Sequence, residues 1–235
     1  MNHVCMNEER NPSASAARAL LSLKEVVTLA DVSEKRVRKD IERGVIVEPR
    51  ITRLTDARIA FPWSYVVSFA AVYGNAHLDV EMRRVALSKL DRLIDGSWFK
   101  ANPDVCVKFT RRAAASCDYM HVDIDKYVTL DMGRVLHQVA PRLNLYYCGF
   151  DRIEERDDVL GGEAVFKDSR LSVNHIGKMV ESGEPVKNIL EDYPYLNEDD
   201  VRFAHLYYRA HPMTGRPRAS DSDDEADKHA EIDVG

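Results

Sequence analysis

The chain has 235 residues, 45% hydrophobic and 31% charged, with 33 Lys and Arg against 39 Asp and Glu for a net charge of −6. That supplies apolar material for a core and length for two or three small modules. It also excludes a protein coated in positive charge, so any contact with nucleic acid has to come from a local basic patch. No apolar run of about 18 residues occurs, and Met1 to Ala19 has no apolar leader core; the expectation is a cytoplasmic protein with no membrane span.

Residues 1–19 mix Asn, Ser, Ala, Glu and Arg without periodicity and are expected to form a flexible arm. From Ser22 the pattern turns helical, breaks at Asp31 to Ser33, resumes to Arg43 and stops at Gly44. In Ser22-Leu23-Lys24-Glu25 the hydroxyl and the carboxylate are spaced for a reciprocal capping box. Val26, Val27 and Ala30 would face inward, Val32 would fill the turn, and Ser33 would cap the second helix, worth about 1 kcal/mol.

That second helix carries Val37 and Ile41 at i, i+4 toward a core and a basic set on its other side. Readers of the major groove insert the N-terminal part of such a helix, which here brings Ser33, Glu34, Lys35, Arg36 and Arg38, followed by Lys39 and Arg43. Arg suits guanine because its planar fork meets O6 and N7 together. Pro49 to Ala60 alternates around polar turn residues as a small β-wing, whose Arg50, Arg53 and Arg58 would add phosphate contacts. Pro62 suits the first turn of a following helix with Trp63, Val66, Val67, Phe69 and Ala70 as its apolar face. Residues 20–76 therefore read as a winged helix-turn-helix that binds DNA.

Residues 77–156 read as a mixed middle region for dimerisation or linkage. An amphipathic helix runs through Val80, Val85, Leu87, Leu90 and Ile94; strands are expected through Val105, Val107 and Phe109 and through Met120, Val122 and Ile124. A helix over Val128 to Val139 would stop at Pro141. Because paired half-sites double the base contacts, a homodimer is expected.

Residues 157–212 form a second module: a Gly161-Gly162 turn, a hairpin around Ala164 to Val173, and three helices. The first lies near His175 to Glu181, the second opens at Pro185 and ends before Pro194, and the third spans Glu198 to Ala210 behind an Asn197/Asp200 capping pair. Tyr207 and Tyr208 suit a core or an interface. The fold class is thus mainly α with small β elements. Residues 213–235 gather Asp221, Asp223, Asp224, Glu225, Asp227, Glu231 and Asp233 as an acidic tail, expected to be disordered when free.

Nothing in the chain assembles catalytic chemistry. Cys5, Cys106, Cys117 and Cys148 lack zinc spacing and read as reduced thiols, and His175, His205 and His211 are scattered. Asp151, Glu154, Glu155, Asp157 and Asp158 form a polar connector without a nucleophile partner. The Gly-Gly pair is not followed by a phosphate-loop continuation. The expectation is a binding protein, not an enzyme, with no metal and no cofactor.

The stretch from Ser22 to Ile46, with the wing and following helix, resembles the N-terminal module of MerR-like proteins, although Asp40 stands where that family usually has an aromatic. The stretch from Val159 to Pro212 resembles a small domain, formerly of unknown function, associated with VapB-like antitoxins. Gly161, Gly162, Arg170, Gly183, Asp192, Tyr193, Pro194 and Leu196 keep its pattern; Ala164, Asp168 and Ser169 replace the usual Pro, Gly and Thr. This resemblance implies a type II antitoxin that neutralises a PIN-domain ribonuclease toxin and represses its own operon by binding operator DNA. In that setting Arg216 and Arg218 are candidates to enter the toxin's carboxylate cluster. A free-standing regulator without a toxin partner is the alternative.

Overall fold

The computed structural model describes residues 20–47, 52–53, 59–75, 77–95, 121–156 and 159–212. The expected N-terminal arm, the strand through Val105, Val107 and Phe109, and the acidic tail lie outside these residues. The architecture is mainly helical with small antiparallel strand pairs. No helix among the described residues is long and apolar enough to cross a membrane.

The chain enters through β1 (Leu20–Ser22), which runs directly into α1 (Leu23–Ala30), and a tight turn leads to α2 (Glu34–Glu42). Asp31 closes α1 in the left-handed region at φ 58°, which a short polar residue tolerates. After α2, Gly44 takes φ 65°, where glycine carries no steric penalty. The wing consists of β2 (Thr52–Arg53) and β3 (Ile59–Pro62), with β3 central between β2 and β1. Leu21 pairs with Phe61, so the segment ahead of the first helix completes the sheet that the wing begins.

Pro62 does not open the next helix. It ends β3 opposite Leu20, and the helix α3 (Tyr65–Tyr73) begins after the Trp63-Ser64 turn. Trp63, Val66, Val67 and Phe69 are buried as the apolar pattern requires, but so is almost every other residue of α3. A helix apolar on all sides belongs inside a core. Phe69 meets Phe61, Tyr65 and Tyr73 edge to face, with centroids 5.3–5.6 Å apart, and Phe61 lies tilted against Tyr65 at 5.7 Å. The amphipathic helix α4 (Val80–Asp95) covers α3, with Leu87 and Leu90 buried.

The segment from Val128 differs from expectation. Thr129–Asp131 is a strand, β5, antiparallel to β4 (His121–Asp123), and Asp131 caps a long helix, α5 (Met132–Gly149), by accepting from the Arg134 N–H. This helix passes through Pro141 rather than stopping there. Pro141 is exposed, while Leu136, Val139, Leu143 and Tyr146 are buried along the opposite stripe. Burial of that stripe, at roughly 1.5–3 kcal/mol per large side chain, outweighs the one hydrogen bond proline removes.

A 3-10 turn (Phe150–Arg152) leads to β6 (Ile153–Glu155), which pairs with β7 (Ala164–Phe166). The hairpin therefore reaches back into the expected polar connector: Glu154 and Glu155 lie in a strand whose Ile153 is buried. On the far side of β7 only a single bridge, Val165 to Ser172, continues the sheet. Helices α6 (Val173–Glu181), α7 (Val186–Asp192) and α8 (Glu198–Ala210) follow as expected, and Asn197 and Asp200 form the complete capping box.

α8 is the hub of this half: it packs on α6 and α7, and also on α5 and α1. Two glycines allow its approach. A methyl at Gly149 would collide with the Phe203 ring, and one at Gly177 with the Ala204 carbonyl and Tyr208 Cβ. The buried side chains from Leu21 to Ala210 consequently form one connected core. Replacing a helical glycine by alanine ordinarily gains about 1 kcal/mol. Gly177→Ala is expected to do the opposite, lowering stability by about 1–3 kcal/mol through overpacking, as measured by chemical denaturation.

Candidate nucleic-acid interface

The candidate interface is built on α2, whose nine residues divide sharply between an inner and an outer set. Val37 is buried and Ile41 packs against the core, as their spacing requires. Lys35, Arg38, Lys39, Glu42 and Arg43 are exposed. Their spacing of three and four places Lys35, Arg38, Lys39 and Glu42 on one face, with Arg43 beside them at the C-terminal end.

Ser33 holds the extended backbone of an N-cap, but its side chain makes no cap hydrogen bond. The expected contribution of that hydroxyl is therefore absent. The first turn relies on Glu34, whose carboxylate accepts from Lys24 Nζ at 3.1 Å and from Arg38 Nε at 2.8 Å. Partial burial pushes the Glu34 carboxyl up, but Arg38 and Lys24 more than offset this and hold it below its ordinary range. Arg38 remains 60% exposed on the side chain despite this pair.

Arg36 belongs to the inner set. Its guanidinium donates to the carbonyls of Tyr73 and Leu78 at 3.3 and 3.2 Å, fastening α2 to the C-terminal end of α3. A cation there satisfies the Tyr73 carbonyl at the end of α3 and the Leu78 carbonyl ahead of α4, and it complements the dipole of α3. Asp40 is also inward, 1% exposed, and bound to Arg83 of α4 through Nε at 2.6 Å and Nη2 at 2.9 Å. Tyr73 Oη donates to the same carboxylate at 3.1 Å, and Arg83 Nη1 donates to the Leu78 carbonyl at 2.7 Å. Burial raises the Asp40 carboxyl, but the hydrogen bonds and charge of Arg83 outweigh it and the net displacement is downward. Burial and the Asp40 charge push the Tyr73 phenol upward, keeping it a donor.

Arg53 lies on β2 opposite Ile59, whereas Arg50, Arg58, Arg216 and Arg218 fall outside the described residues. The structure thus brings Lys35, Arg38, Lys39 and Arg43 together and assigns Arg36 a structural bond. Sequence reasoning did not find Arg83. The available signal was Asp40 itself, three residues from Val37 on the inward face, where an acid requires a cationic partner.

A second polar cluster sets the helix-turn-helix on the rest of the molecule. The Ser22/Glu25 capping box forms as expected, with Ser22 N–H donating to Glu25 Oε2 at 2.7 Å and Glu25 N–H donating to Ser22 Oγ at 3.2 Å. The second carboxylate oxygen accepts from Tyr146 Oη of α5 at 2.7 Å. His211, at the end of α8, brings Nε2 to 2.9 Å from that hydroxyl and stacks on Tyr207 at 4.3 Å. Asp31 in the turn pairs with Arg142 of α5 at 2.9 Å, and Thr28 Oγ1 donates to the Arg209 carbonyl at 3.5 Å.

Elsewhere the C-terminal half is acidic where α8 begins, at Glu198, Asp199 and Asp200, and Asp200 pairs with Arg152 at 2.7 Å. Tyr207 is buried and Tyr208 half-buried. His205 lies 2.6 Å from Glu181, and His175 lies 3.4 Å from the Tyr193 hydroxyl. No group of three His, Cys, Asp or Glu among the described residues is placed to hold a metal ion.

Removing one member of a buried ion pair leaves the other uncompensated. Arg83→Met is expected to cost about 3–5 kcal/mol, and adding Asp40→Leu to recover part of it. Since the folded chain holds Asp40 below its unfolded value, near 3.9, this stabilisation is complete above that pH and is lost as pH falls through the folded value. Acid titration of stability in the Asp40→Leu/Arg83→Met background should show a weaker pH dependence below about 4.

Among family models, the match lies in the C-terminal half. Residues 153–208 match the family described as "Protein of unknown function (DUF433)". A relative from Sinorhizobium fredii (strain NBRC 101917 / NGR234), "Uncharacterized protein y4eO", is 28% identical over 93 residues, or 40% of this chain and 42% of that protein. The match therefore spans less than half of the curated relative. No solved structure matches the chain.

Proposed function

We propose that the chain is a DNA-binding regulator that docks the outer face of α2 in a major groove. The observation carrying this reading is the division of charge on α2. Its inward ions, Arg36 and Asp40, are tied to α3 and α4, while Lys35, Arg38, Lys39 and Arg43 project together into solvent. A helix whose inner charges fix its placement and whose outer charges lie at one-turn spacing presents cations to two phosphate rows and to base edges. The wing at β2 and β3 would run alongside the same duplex and add Arg53.

The C-terminal half supports a second reading. Residues 153–208 match the family model over the stretch where the antitoxin-like pattern lies, and acidic groups at the start of α8 do not suit DNA phosphates. In this reading the module binds a PIN-domain ribonuclease, with Arg216 and Arg218 entering its metal-binding carboxylates, and the DNA-binding end represses the shared operon as a homodimer. Co-expression with a neighbouring PIN-domain protein should then give a stable complex and restore growth. Double replacement Arg216→Ala/Arg218→Ala should weaken that complex, and unchanged affinity would remove both arginines from it.

The DNA reading is tested by binding to duplex across a salt series. Each phosphate contact contributes a slope of about 0.9 in log affinity against log salt. Lys35→Ala and Lys39→Ala are expected to flatten the slope by about that amount each without loss of folding stability. Arg36→Ala should behave differently, costing about 1–2 kcal/mol of stability through the lost bonds to the Tyr73 and Leu78 carbonyls, of which Leu78 keeps its bond from Arg83. Slopes identical to the parent in both lysine variants would contradict the interface.

A further inference from the structure

The described chain ends at His211-Pro212, and this end lies against the helix-turn-helix. Lys24, Asp31, Val32 and Glu34 form one wall of a surface groove, and Lys178, Arg209 and Pro212 form the other. The residues after Pro212 therefore leave from across a groove that borders the N-terminal end of α2. Between Ser220 and Val234 they carry Asp221, Asp223, Asp224, Glu225, Asp227, Glu231 and Asp233, with Lys228 the one Lys or Arg in that span. Asp221 is nine residues beyond Pro212, and nine residues reach up to about 30 Å. The nine residues of α2 extend over about 14 Å, so the acidic run can lie along the whole helix.

We infer that the acidic segment 220–234 docks on the outer face of α2 in its own chain, taking the place of DNA phosphates. Charge complementarity selects that face. Lys35, Lys39 and Arg43 are exposed there with Glu42 as the accompanying acid, and Arg38 is exposed beside them although it pairs with Glu34; in the neighbouring groove Lys24 pairs with the same Glu34. The short connection makes the encounter intramolecular, so even weak ion pairing competes with a ligand arriving from solution. Exposed ion pairs are screened by salt, so this competition fades as ionic strength rises. The segment acts as a threshold: a duplex that engages many cations displaces it, and one that engages few does not. The inference rests on α2 as the DNA-facing helix only for its consequence, since docking itself needs no DNA.

Two measurements on the full chain test it. Zero-length carbodiimide coupling without DNA, followed by peptide mass spectrometry, should join Lys35 or Lys39 to acids between Asp221 and Asp233. Mixing isotopically light and heavy chains should leave these links within one chain. Removing residues 219–235, which keeps Arg216 and Arg218, should raise affinity for a short random-sequence duplex about tenfold at low salt, and the gain should shrink with added salt. Replacing the seven tail acids by their amides should give the same gain. Links that form only elsewhere, or between light and heavy chains, would overturn the proposal, as would unchanged affinity of the truncated chain where the parent binds DNA. Correct links with no DNA binding by either form would uphold docking while removing DNA as the ligand of α2.

Discussion

One carboxylate ties the two ends of this protein together. Glu25 closes the capping box that starts α1 and, with its other oxygen, accepts the Tyr146 hydroxyl from α5, where His211 from the end of α8 also converges. A capping residue ordinarily acts on its own helix. Here the residue is 8% exposed, so its carboxyl oxygens depend on the donors around them. The position of the helix-turn-helix is thus linked to α5 and α8 through a nearly buried carboxyl group, a buried hydroxyl and the His211 ring. The Asp31–Arg142 pair and the Thr28 contact to Arg209 act at the same seam.

From that seam the rest of the arrangement follows. α1 rests on α8 and α3, α2 is anchored on α3 and α4 by Arg36 and the Asp40–Arg83 pair, and the outer cations of α2 are what remains available. The buried ions supply orientation more than net stability, since desolvation consumes much of what a buried pair gains. Orientation is what a groove-reading helix requires. A helix fixed by its inward ions presents its outer cations in one orientation.

Features set by neighbouring residues were legible in the sequence. The two capping boxes, the breaks at Asp31 and Gly44, and the helices after Pro185 and Asn197 depend on contacts within four residues, and these stand where the pattern placed them; the helix expected near His175 starts earlier, at Val173, behind a Ser172 cap. Features set by distant partners were not. β1 exists because β3 pairs with it, β6 because β7 returns to it, and α5 continues past Pro141 because its apolar stripe is buried against α3 and α8. The candidate interface divides the same way: helical spacing located its outer cations. The inward use of Arg36 depends on carbonyls 37 and 42 residues away, which local pattern does not encode.

The central claim is that the helix-turn-helix and the C-terminal helices form one mechanical unit through the Glu25–Tyr146–His211 cluster. Native-state hydrogen exchange on the parent and on Tyr146→Phe tests it directly. The account predicts that amides of α1, α5 and α8 open with a common free energy in the parent. It predicts that the variant lowers all three together by about 1–3 kcal/mol, the cost of an unmet buried acceptor. Loss of protection confined to α5 and α8, with α1 unchanged, would contradict it.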